Sequence, residues 1–304
     1  MPSVDAVVVS YNSQEHLRLS VASLCGLADT NVIVVDNAST DASAASVSDL
    51  PVTVVALDTN VGFAAGCNVG WRAGSAPQVL LLNPDASIDE DSLRLLVRVL
   101  EQDPAIGAVA PRIVGPDGGL HHSLRRFPRL RSTYAQALFL HRLVPRAGWT
   151  DELVRDPGAY EREWSPDWVS GAAVLVRRSV LEDLDGLDEA FFMYSEDTDL
   201  CRRIRDLGLD VRFEPAAVVV HEGGASAPRS SLLPELAASR VRYARKHEGA
   251  VAAALERLGI ALGAVTHIVV SRGGAAARAG HARALRHVLS RSAGRSPSRM
   301  AREL

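Results

Sequence analysis

The sequence predicts an α/β fold in which a mostly parallel, twisted sheet is flanked by helices and followed by a helical extension. Three observations support this. Short apolar runs alternate with amphipathic stretches of helical spacing over roughly the first 110 residues. Several runs end abruptly in polar turn residues, which is typical of strands buried on both faces of a parallel sheet. From Pro234 to about Val270 the spacing is helical only, and an arginine-rich tail follows.

The first part of the chain is predicted to alternate between strands and helices. The strands are Val4–Ser10, Val32–Val35, Val52–Ala56, Val79–Leu82 and Ile106–Ala110. Helical spacing follows the first strand at Glu15–Leu27 and the fourth at Ser92–Leu100, and another helix begins near Gly62. Because helical crossovers join neighbouring parallel strands, we expect a doubly wound sheet here.

The pattern changes after the fifth strand. Residues 112–164 are rich in Pro, Arg and aromatic side chains without a clean period, so we expect an irregular segment with one helix near Thr133–Leu143. Beyond it, the sequence predicts a strand, a helix with an acidic start and two further strands. These are Trp168–Arg177, Ser195–Leu207, Val211–Phe213 and Ala217–Val220.

The composition is that of an ordinary globular protein. Apolar residues make up 47% and charged residues 23% of the 304 residues. No apolar run approaches the ~20 residues that cross a bilayer, and no basic and apolar leader opens the chain, so we expect a cytoplasmic protein. The three cysteines lack Cys-x-x-Cys spacing, which favours reduced thiols over a metal cluster.

Charge is unevenly distributed around a net value of −3. From Ser271 to Leu304 there are eight arginines and one acid, and these arginines are not interleaved with stacking aromatics, so nucleic acid is not an expected partner. The run Leu258–Val270 is apolar apart from one histidine, and a basic cluster precedes it. This arrangement predicts attachment to an anionic membrane surface. The cluster consists of Arg240, Arg242, Arg245 and Lys246. The alternative is a packed helical extension with a basic tail that bridges subunits of a homo-oligomer.

Polar side chains follow three of the predicted parallel strands. They are Ser10, Tyr11 and Asn12 after the first strand, Asp36 and Asn37 after the second, and Asn83 and Asp85 after the fourth. Open α/β sheets bind ligands at the carboxyl ends of their strands, so these turns are candidates for a nucleotide site. Asp36 is suited to accept hydrogen bonds from a base or ribose, and Asp85 to hold a divalent cation on a diphosphate. The alternative for each turn is a helix cap.

A glycine-spaced segment follows the third strand. It runs Asn60-Val61-Gly62-Phe63-Ala64-Ala65-Gly66-Cys67-Asn68 and differs in spacing and position from the Gly-x-Gly-x-x-Gly of dinucleotide enzymes. Small residues here allow a helix N-terminus to approach a ligand closely. Close packing against a strand is the alternative.

An acidic cluster opens the helix after Tyr194. Glu196-Asp197-x-Asp199 follows an aromatic stretch, so one carboxylate is a candidate general base with a raised pKa. Acids at a helix N-terminus are also favoured by the helix dipole alone. His221 ends a strand, and its neutral imidazole is a candidate metal ligand, although a structural role is the alternative. No role is assigned to the pair His121-His122.

These segments, in this order, resemble the family-2 inverting glycosyltransferases with a GT-A fold, especially the rhamnosyltransferase-like branch. The resemblance extends from Val4 to about Ser226. It rests on Val8-Val9-Ser10-Tyr11-Asn12, Val35-Asp36-Asn37-Ala38-Ser39-Thr40-Asp41, Asn60-x-Gly62-Phe63-x-x-Gly66-x-Asn68, Asn83-Pro84-Asp85, Trp168-Val169-Ser170-Gly171-Ala172, Glu196-Asp197-x-Asp199-Leu200-Cys201-x-Arg203 and His221-x-x-Gly224-x-Ser226.

The resemblance implies a role for each segment. Asp197 is implied as the catalytic base with Glu196 beside it, and Asp85 and His221 as ligands of Mg²⁺ or Mn²⁺. Asn83 replaces the first acid of the family's Asp-x-Asp site, so Asp85 should hold the cation. The implied nucleotide-sugar ligands are Ser10, Tyr11, Asn12, Asp36, Asn60, Gly62, Phe63, Asn68, Asn83 and Gly171. The implied domains are a GT-A unit at 1–231, with a nucleotide-binding half at about 1–110 and an acceptor and metal half at about 111–231, and a basic helical extension at 232–304.

The implied reaction is metal-dependent transfer of one sugar. The processive Gln-x-x-Arg-Trp motif is missing, and the branch signature favours dTDP-L-rhamnose as the donor. The acceptor would be a polysaccharide or lipid-linked glycan, and the enzyme would lie on the inner face of the cell membrane. Alternatives are a UDP-galactofuranose or UDP-hexose donor, or a non-catalytic nucleotide-sugar-binding scaffold. Retention of Asp85, Asp197 and His221 argues against the scaffold.

Overall fold

A computed structural model describes residues 3–144, 147–223, 229–270 and 274–290. The strands are β1 (Val4–Ser10), β2 (Thr30–Asp36), β3 (Thr53–Ala56), β4 (Gln78–Leu82), β5 (Ala86–Ile88), β6 (Ile106–Val114), β7 (Leu124–Arg125), β8 (Trp168–Val169), β9 (Ala173–Arg177) and β10 (Asp210–His221). The helices are α1 (Gln14–Cys25), α2 (Ser43–Ser46), α3 (Phe63–Ala73), α4 (Glu90–Gln102), α5 (Leu130–Ala137), α6 (Leu140–Leu143), α7 (Arg178–Asp183), α8 (Glu196–Asp206), α9 (Arg229–His247), α10 (Ala250–Val270) and α11 (Gly274–Leu289).

Eight strands form one mixed, mostly parallel sheet in the order β3-β2-β1-β4-β9-β6-β10-β5, and β7 pairs with β8 separately. Strands β3, β2, β1 and β4 are parallel, as are β6 and β10. Antiparallel β9 lies between β4 and β6, so the predicted fifth strand does not neighbour the fourth. The predicted α/β class is confirmed.

The core lies on both faces of the sheet because successive side chains of a strand point to opposite sides. Val7 and Val9 of β1 join the cluster packed under α3 and α8, whereas Ala6 and Val8 join the cluster packed under α1 and α4. Both clusters are fully buried at their centres. The paired cores fix the strand register, and with it the position of every turn at the sheet edge.

Three predicted elements differ from the structure. The predicted strand Trp168–Arg177 is broken into β8 and β9 by the turn at residues 170–172. The two strands predicted around His221 form one continuous β10 with a register shift between Glu214 and Val218. The short strand β5 was not predicted, and α4 begins two residues after it ends.

The C-terminal extension consists of α9, α10 and α11, which pack against one another, and α10 also packs on α5. Helix α11 occupies part of the predicted basic tail, and residues 291–304 lie outside the described residues. Helix α10 has 21 residues and is long and apolar enough to cross a membrane by length and composition. The predicted apolar run Leu258–Val270 forms only the C-terminal part of this helix, and Glu256 and Arg257 separate it from the apolar residues of Ala250–Leu255.

Candidate active site

The carboxyl ends of β1 and β2 place two buried polar side chains next to each other. Ser10 and Asp36 are paired in register, and their side chains are 0% and 7% exposed. Within the described part of the chain, Ser10 Oγ and Asp36 Oδ1 have no hydrogen-bond partner. Buried polar atoms without partners are costly unless a ligand completes their hydrogen bonds. This pair therefore fits the donor and acceptor edge of a nucleobase or ribose.

Tyr11 and Asn12 form the turn after β1. Asn12 adopts a positive φ of 51°, and its Oδ1 accepts hydrogen bonds from the amide and hydroxyl of Thr40. The amide of Asn12 donates to Ser39 Oγ at 3.0 Å. Asn12 thus connects the β1 turn to the β2 turn, while Tyr11 remains partly exposed beside Ser10.

The glycine-spaced segment is fixed to β2 by Asn37, one of the polar residues predicted to follow that strand. Asn37 Nδ2 donates to Asn60 Oδ1 at 2.9 Å, and Asn37 Oδ1 accepts from the amide of Val61. Gly62 has a φ of +90°, and a Cβ there would lie 2.4 Å from the carbonyl oxygen of Phe192. Only glycine fits this position, which allows the amide of Phe63 to donate to Phe192 O at 2.7 Å.

Asn68 is buried and has no free hydrogen-bonding capacity. Its Nδ2 donates to Leu187 O and Glu189 Oε1, and its Oδ1 accepts from the amide of Leu187 and from Trp71 Nε1. All four hydrogen bonds of the amide are therefore made within the protein. Asn68 fixes α3 to the 187–189 turn, and its predicted contact with the nucleotide-sugar stays a prediction.

Asp85 and His221 meet although 136 residues separate them. Strand β5 pairs antiparallel with the end of β10, which places His221 opposite Ala86. As a result His221 Nε2 lies 3.0 Å from Asp85 Oδ1 and 3.4 Å from Asn83 Nδ2. Burial opposes ionisation of Asp85, but the hydrogen bond and charge of His221 outweigh it and lower the pKa of the carboxyl.

This pair supplies one carboxylate oxygen and one imidazole nitrogen, the donor types that Mg²⁺ or Mn²⁺ accepts. The described residues contain no group of three or more His, Cys, Asp or Glu side chains able to hold a metal. Two protein ligands leave coordination positions for phosphate oxygens and water. The donor set therefore fits a cation that is shared with a bound diphosphate.

Backbone hydrogen bonds connect Asp197 to this edge of the sheet. The amide of Asn83 donates to Ala172 O at 2.9 Å, and the neighbouring amide of Gly171 donates to Asp197 Oδ2 at 3.0 Å. A Cβ on Gly171 would contact the Asp197 side chain at 3.2 Å, so the glycine permits this approach. Burial raises the pKa of Asp197 despite the hydrogen bonds from Gly171 and Thr198.

Glu196 faces the protein interior. It is 7% exposed, and its Oε2 has no hydrogen-bond partner among the described residues. Burial and the nearby charges of Asp197, Glu235 and Asp199 raise its pKa well above the usual range. Tyr194 and Ser195 precede it with φ values of 69° and 65°, an unusual backbone for two successive non-glycine residues. This turn directs Asp197 towards Gly171 while Glu196 is buried.

A surface depression of about 440 Å³ lies between α4 and β10 and contains none of the predicted site residues. The predicted residues instead surround the carboxyl edge of the sheet. His121 and Arg125 also lie there, and the sequence prediction assigned neither of them a role. The His121 ring is 6.0 Å from that of His221, and Arg125 lies over the ring of Trp168.

Comparison with known proteins places these features in a family. The model of glycosyl transferase family 2 matches residues 5–184. An N-acetylglucosaminyl-diphospho-decaprenol L-rhamnosyltransferase of Mycobacterium tuberculosis is 31% identical over 80% of this chain and 84% of its own length. The rhamnosyltransferase WbbL of Escherichia coli K12 is 26% identical over 50% of this chain and 54% of its own.

Solved structures show the same fold. A mannosyltransferase from Pyrobaculum calidifontis in complex with GDP-mannose and Mn²⁺ superposes with a TM-score of 0.58 at 20% identity, covering 96% of this chain and 82% of that one. At this level of sequence identity, the similarity shows only that the two proteins share a fold. It confirms the predicted GT-A architecture.

Proposed function

Because this chain belongs to glycosyl transferase family 2, we propose that it transfers a single L-rhamnosyl group from dTDP-L-rhamnose to an acceptor hydroxyl, with inversion at the anomeric carbon. The observation that carries this proposal is the convergence of the Asp85–His221 pair and Asp197 at one edge of the sheet. A polysaccharide or lipid-linked glycan would be the acceptor. The rhamnosyltransferases among the relatives support the donor.

The nucleoside would bind at the β1 and β2 turns. Asp36 Oδ1 and Ser10 Oγ have unused hydrogen-bonding capacity beside each other, which suits the imide edge of thymine or uracil. The β1 turn, with Tyr11 and Asn12, would cover the nucleoside. The glycine-spaced segment would lie along the sugar of the nucleoside through Asn60, Gly62 and Phe63. Asn83 and Gly171 would line the transferred hexose.

Asp197 would act as the general base. Its Oδ2, oriented by Gly171, would accept the proton of the acceptor hydroxyl as that oxygen bonds to the anomeric carbon and the bond to the diphosphate breaks. Attack opposite the leaving group produces inversion. The neighbouring buried carboxyl of Glu196 would influence the pKa of this carboxylate. When bound at Asp85 and His221, Mg²⁺ or Mn²⁺ would neutralise the charge that develops on the diphosphate.

A turnover screen tests this proposal. Purified full-length protein is incubated with Mg²⁺ and dTDP-L-rhamnose, UDP-galactofuranose or a UDP-hexose, and released nucleoside diphosphate is measured. We expect release from dTDP-L-rhamnose. Release from UDP-sugars but not from dTDP-L-rhamnose would show that the donor is a UDP-sugar. Binding without release from any of the donors would favour a non-catalytic scaffold.

We also propose that the enzyme is cytoplasmic and peripheral on the inner membrane face, with residues 1–231 forming the catalytic unit and 232–304 the anchoring extension. Helix α10 presents six apolar side chains at spacings of four and three residues, all 37–78% exposed. They are Val251, Leu255, Leu258, Leu262, Val265 and Val269. Exposed Arg278, Arg283 and Arg286 lie on the adjacent α11, which has no acidic residue. An apolar face beside arginines suits the surface of an anionic bilayer.

Two of the four cations in the basic cluster predicted for this attachment are paired with carboxylates of the protein. Arg240 is bound to Glu152 and Glu256, and Lys246 to Asp188 and Asp199. Spacing along α9 showed the cations but could not show the carboxylates that reach them from other segments. The apolar face of α10 therefore replaces this cluster in the proposal.

Liposome cosedimentation tests the membrane face. Leu258→Glu with Leu262→Glu should abolish pelleting with anionic vesicles, whereas Leu19→Glu, at a more exposed leucine of α1, should leave it unchanged. Pelleting by the double variant would exclude this face. If wild-type protein is dimeric and binds no vesicles, and the double variant is monomeric in sedimentation analysis, a second copy of the chain covers the apolar face of α10.

A further inference from the structure

Lys246, near the C-terminal end of α9, forms ion pairs with two carboxylates at the two ends of the segment 188–199. Its Nζ lies 2.7 Å from Asp188 Oδ2 and 2.7 Å from Asp199 Oδ1. The same Nζ lies 5.8 Å from the centre of the Phe191 ring, which belongs to this segment. Among the described residues, no other cation pairs with both carboxylates. The ammonium group therefore joins the two ends of the 188–199 segment.

This segment carries the candidate base and also contacts the glycine-spaced segment. Phe192 O accepts a hydrogen bond from the amide of Phe63 at 2.7 Å. Five residues further on, Asp197 Oδ2 accepts a hydrogen bond from the amide of Gly171. The conformation of the 188–199 segment therefore determines where the candidate base lies relative to the donor proposed to bind along the glycine-spaced segment.

The backbone of the segment is one that needs support from its surroundings. Tyr194 and Ser195 have φ values of 69° and 65°. This conformation is unfavourable for residues with a Cβ and persists only where the surrounding structure fixes it. Helix α9 provides such contacts at two points, because Ser239 Oγ donates to Met193 O at 2.9 Å and Lys246 joins the two ends.

The two carboxylates depend on Lys246 to different extents. Asp199 is 0% exposed and is also bound by Arg203 and His247. Burial opposes ionisation of this carboxylate, but its three cationic partners, led by His247, outweigh burial and lower its pKa. Among the described cations, only Lys246 pairs with Asp188. Removal of the ammonium group would therefore leave Asp199 in place and release Asp188, which would open the segment without unfolding the protein.

We propose that Lys246 is a positioning residue for glycosyl transfer, because its ammonium group keeps the 188–199 segment closed and Asp197 directed towards the acceptor hydroxyl. This inference rests on the proposed function, in which Asp197 is the base. Lys246 acts through the segment and does not itself contact the substrate. Helix α9 thus has a role in the reaction in addition to the anchoring role proposed for the C-terminal extension.

A double-mutant cycle tests this inference. Lys246→Met removes the charge and should lower kcat per dTDP-binding site about 10-fold or more, because the base is displaced. The KM for dTDP-L-rhamnose should change less than about 2-fold, since the nucleoside would bind at the β1 and β2 turns. In protein that already carries Asp197→Asn, Lys246→Met should lower kcat by less than a further factor of about 2.

Two further variants serve as controls. Lys246→Arg keeps the positive charge and should restore most of the kcat that Lys246→Met loses. Arg94→Met removes a cation from an exposed ion pair with Glu90 on α4, and it should match wild type. Calorimetric titration with dTDP gives the concentration of folded sites for every variant.

Hydrogen exchange measured by mass spectrometry reports on the segment without turnover. We expect faster amide exchange within 188–199 in Lys246→Met and unchanged exchange in β1 and β4. Unchanged exchange within the segment, or an equal fractional loss of kcat with and without Asp197→Asn, would overturn the inference. Fewer dTDP-binding sites with a wild-type kcat per site would also overturn it, because Lys246 would then support only folding. If wild-type protein turns over no donor but the variant exchanges faster within 188–199, the proposed function fails and the closure of the segment by Lys246 stands.

Discussion

Glu196 and Asp197 are adjacent in sequence, yet the structure gives them different surroundings. Asp197 is partly exposed and receives hydrogen bonds from two backbone amides, whereas Glu196 is buried with an unpartnered oxygen. The raised pKa of Glu196 favours its neutral form in the folded protein. Because Asp197 is partly exposed and Glu196 is buried, Asp197 is the carboxyl of the two that a substrate can reach.

The pH dependence of stability tests the state of Glu196. An acid with a raised folded pKa stabilises the fold at pH values below its unfolded pKa, and this contribution is lost as pH rises through the folded value. The Tm of Glu196→Gln minus that of wild type should therefore become more positive from acidic to alkaline pH. Glu222→Gln, at a more exposed carboxylate, is the control. A difference that is constant with pH would show that Glu196 does not titrate abnormally.

At the scale of elements, the pairing of β5 with β10 brings together the two candidate metal ligands. This pairing of three residues places His221 opposite Ala86 and next to Asp85. The amide of Glu222 also donates to Asp85 O at 3.0 Å, which extends the contact by one residue. The two candidate ligands are therefore positioned by backbone hydrogen bonds before any cation binds.

We expect Asp85→Ala and His221→Ala each to weaken Mn²⁺-dependent binding of dTDP about 10-fold or more, because each removes one of two protein ligands. Calorimetry with Mn²⁺ and again with EDTA measures this. Asp91→Ala, at an exposed acid of α4, should bind like wild type. The metal assignment fails if EDTA does not change the affinity of wild-type protein for dTDP.

A second network joins the C-terminal helices to the catalytic unit. Arg240 of α9 contacts both Glu152, in the irregular segment, and Glu256 of α10, at distances of 2.7–3.0 Å. Thr133 of α5 donates to the same glutamate. These buried charges connect three separate parts of the chain.

Arg240→Leu should destabilise the fold by roughly 3–5 kcal/mol, because it leaves two buried carboxylates without their cation. Arg242, on the same helix, forms no ion pair among the described residues. Arg242→Leu should therefore cost less than about 1 kcal/mol of unfolding free energy. Urea unfolding of both variants measures the difference. Equal free energies of unfolding would show that the network does not hold the helices in place.

For the whole molecule, local patterns predicted the parallel strands and their polar turns well. Segments such as the apolar run Val79–Leu82 and the strand-ending Asn83-Pro84-Asp85 can be recognised from the local sequence alone. The insertion of β9 between β4 and β6, and the pairing of β5, depend on contacts between residues far apart in sequence, which no local period encodes. The same reason explains why spacing along the helix did not show the carboxylates that bind Arg240.

The central claim is that Asp197 acts as the base in glycosyl transfer from a nucleotide-sugar. The most direct measurement is release of dTDP from dTDP-L-rhamnose by full-length protein with Mg²⁺ and acceptor, in wild type and in Asp197→Asn. We predict a decrease in kcat of about 10²-fold or more, with the affinity for dTDP unchanged by calorimetry. Asp197→Asn protein that keeps most of the wild-type kcat would contradict the claim.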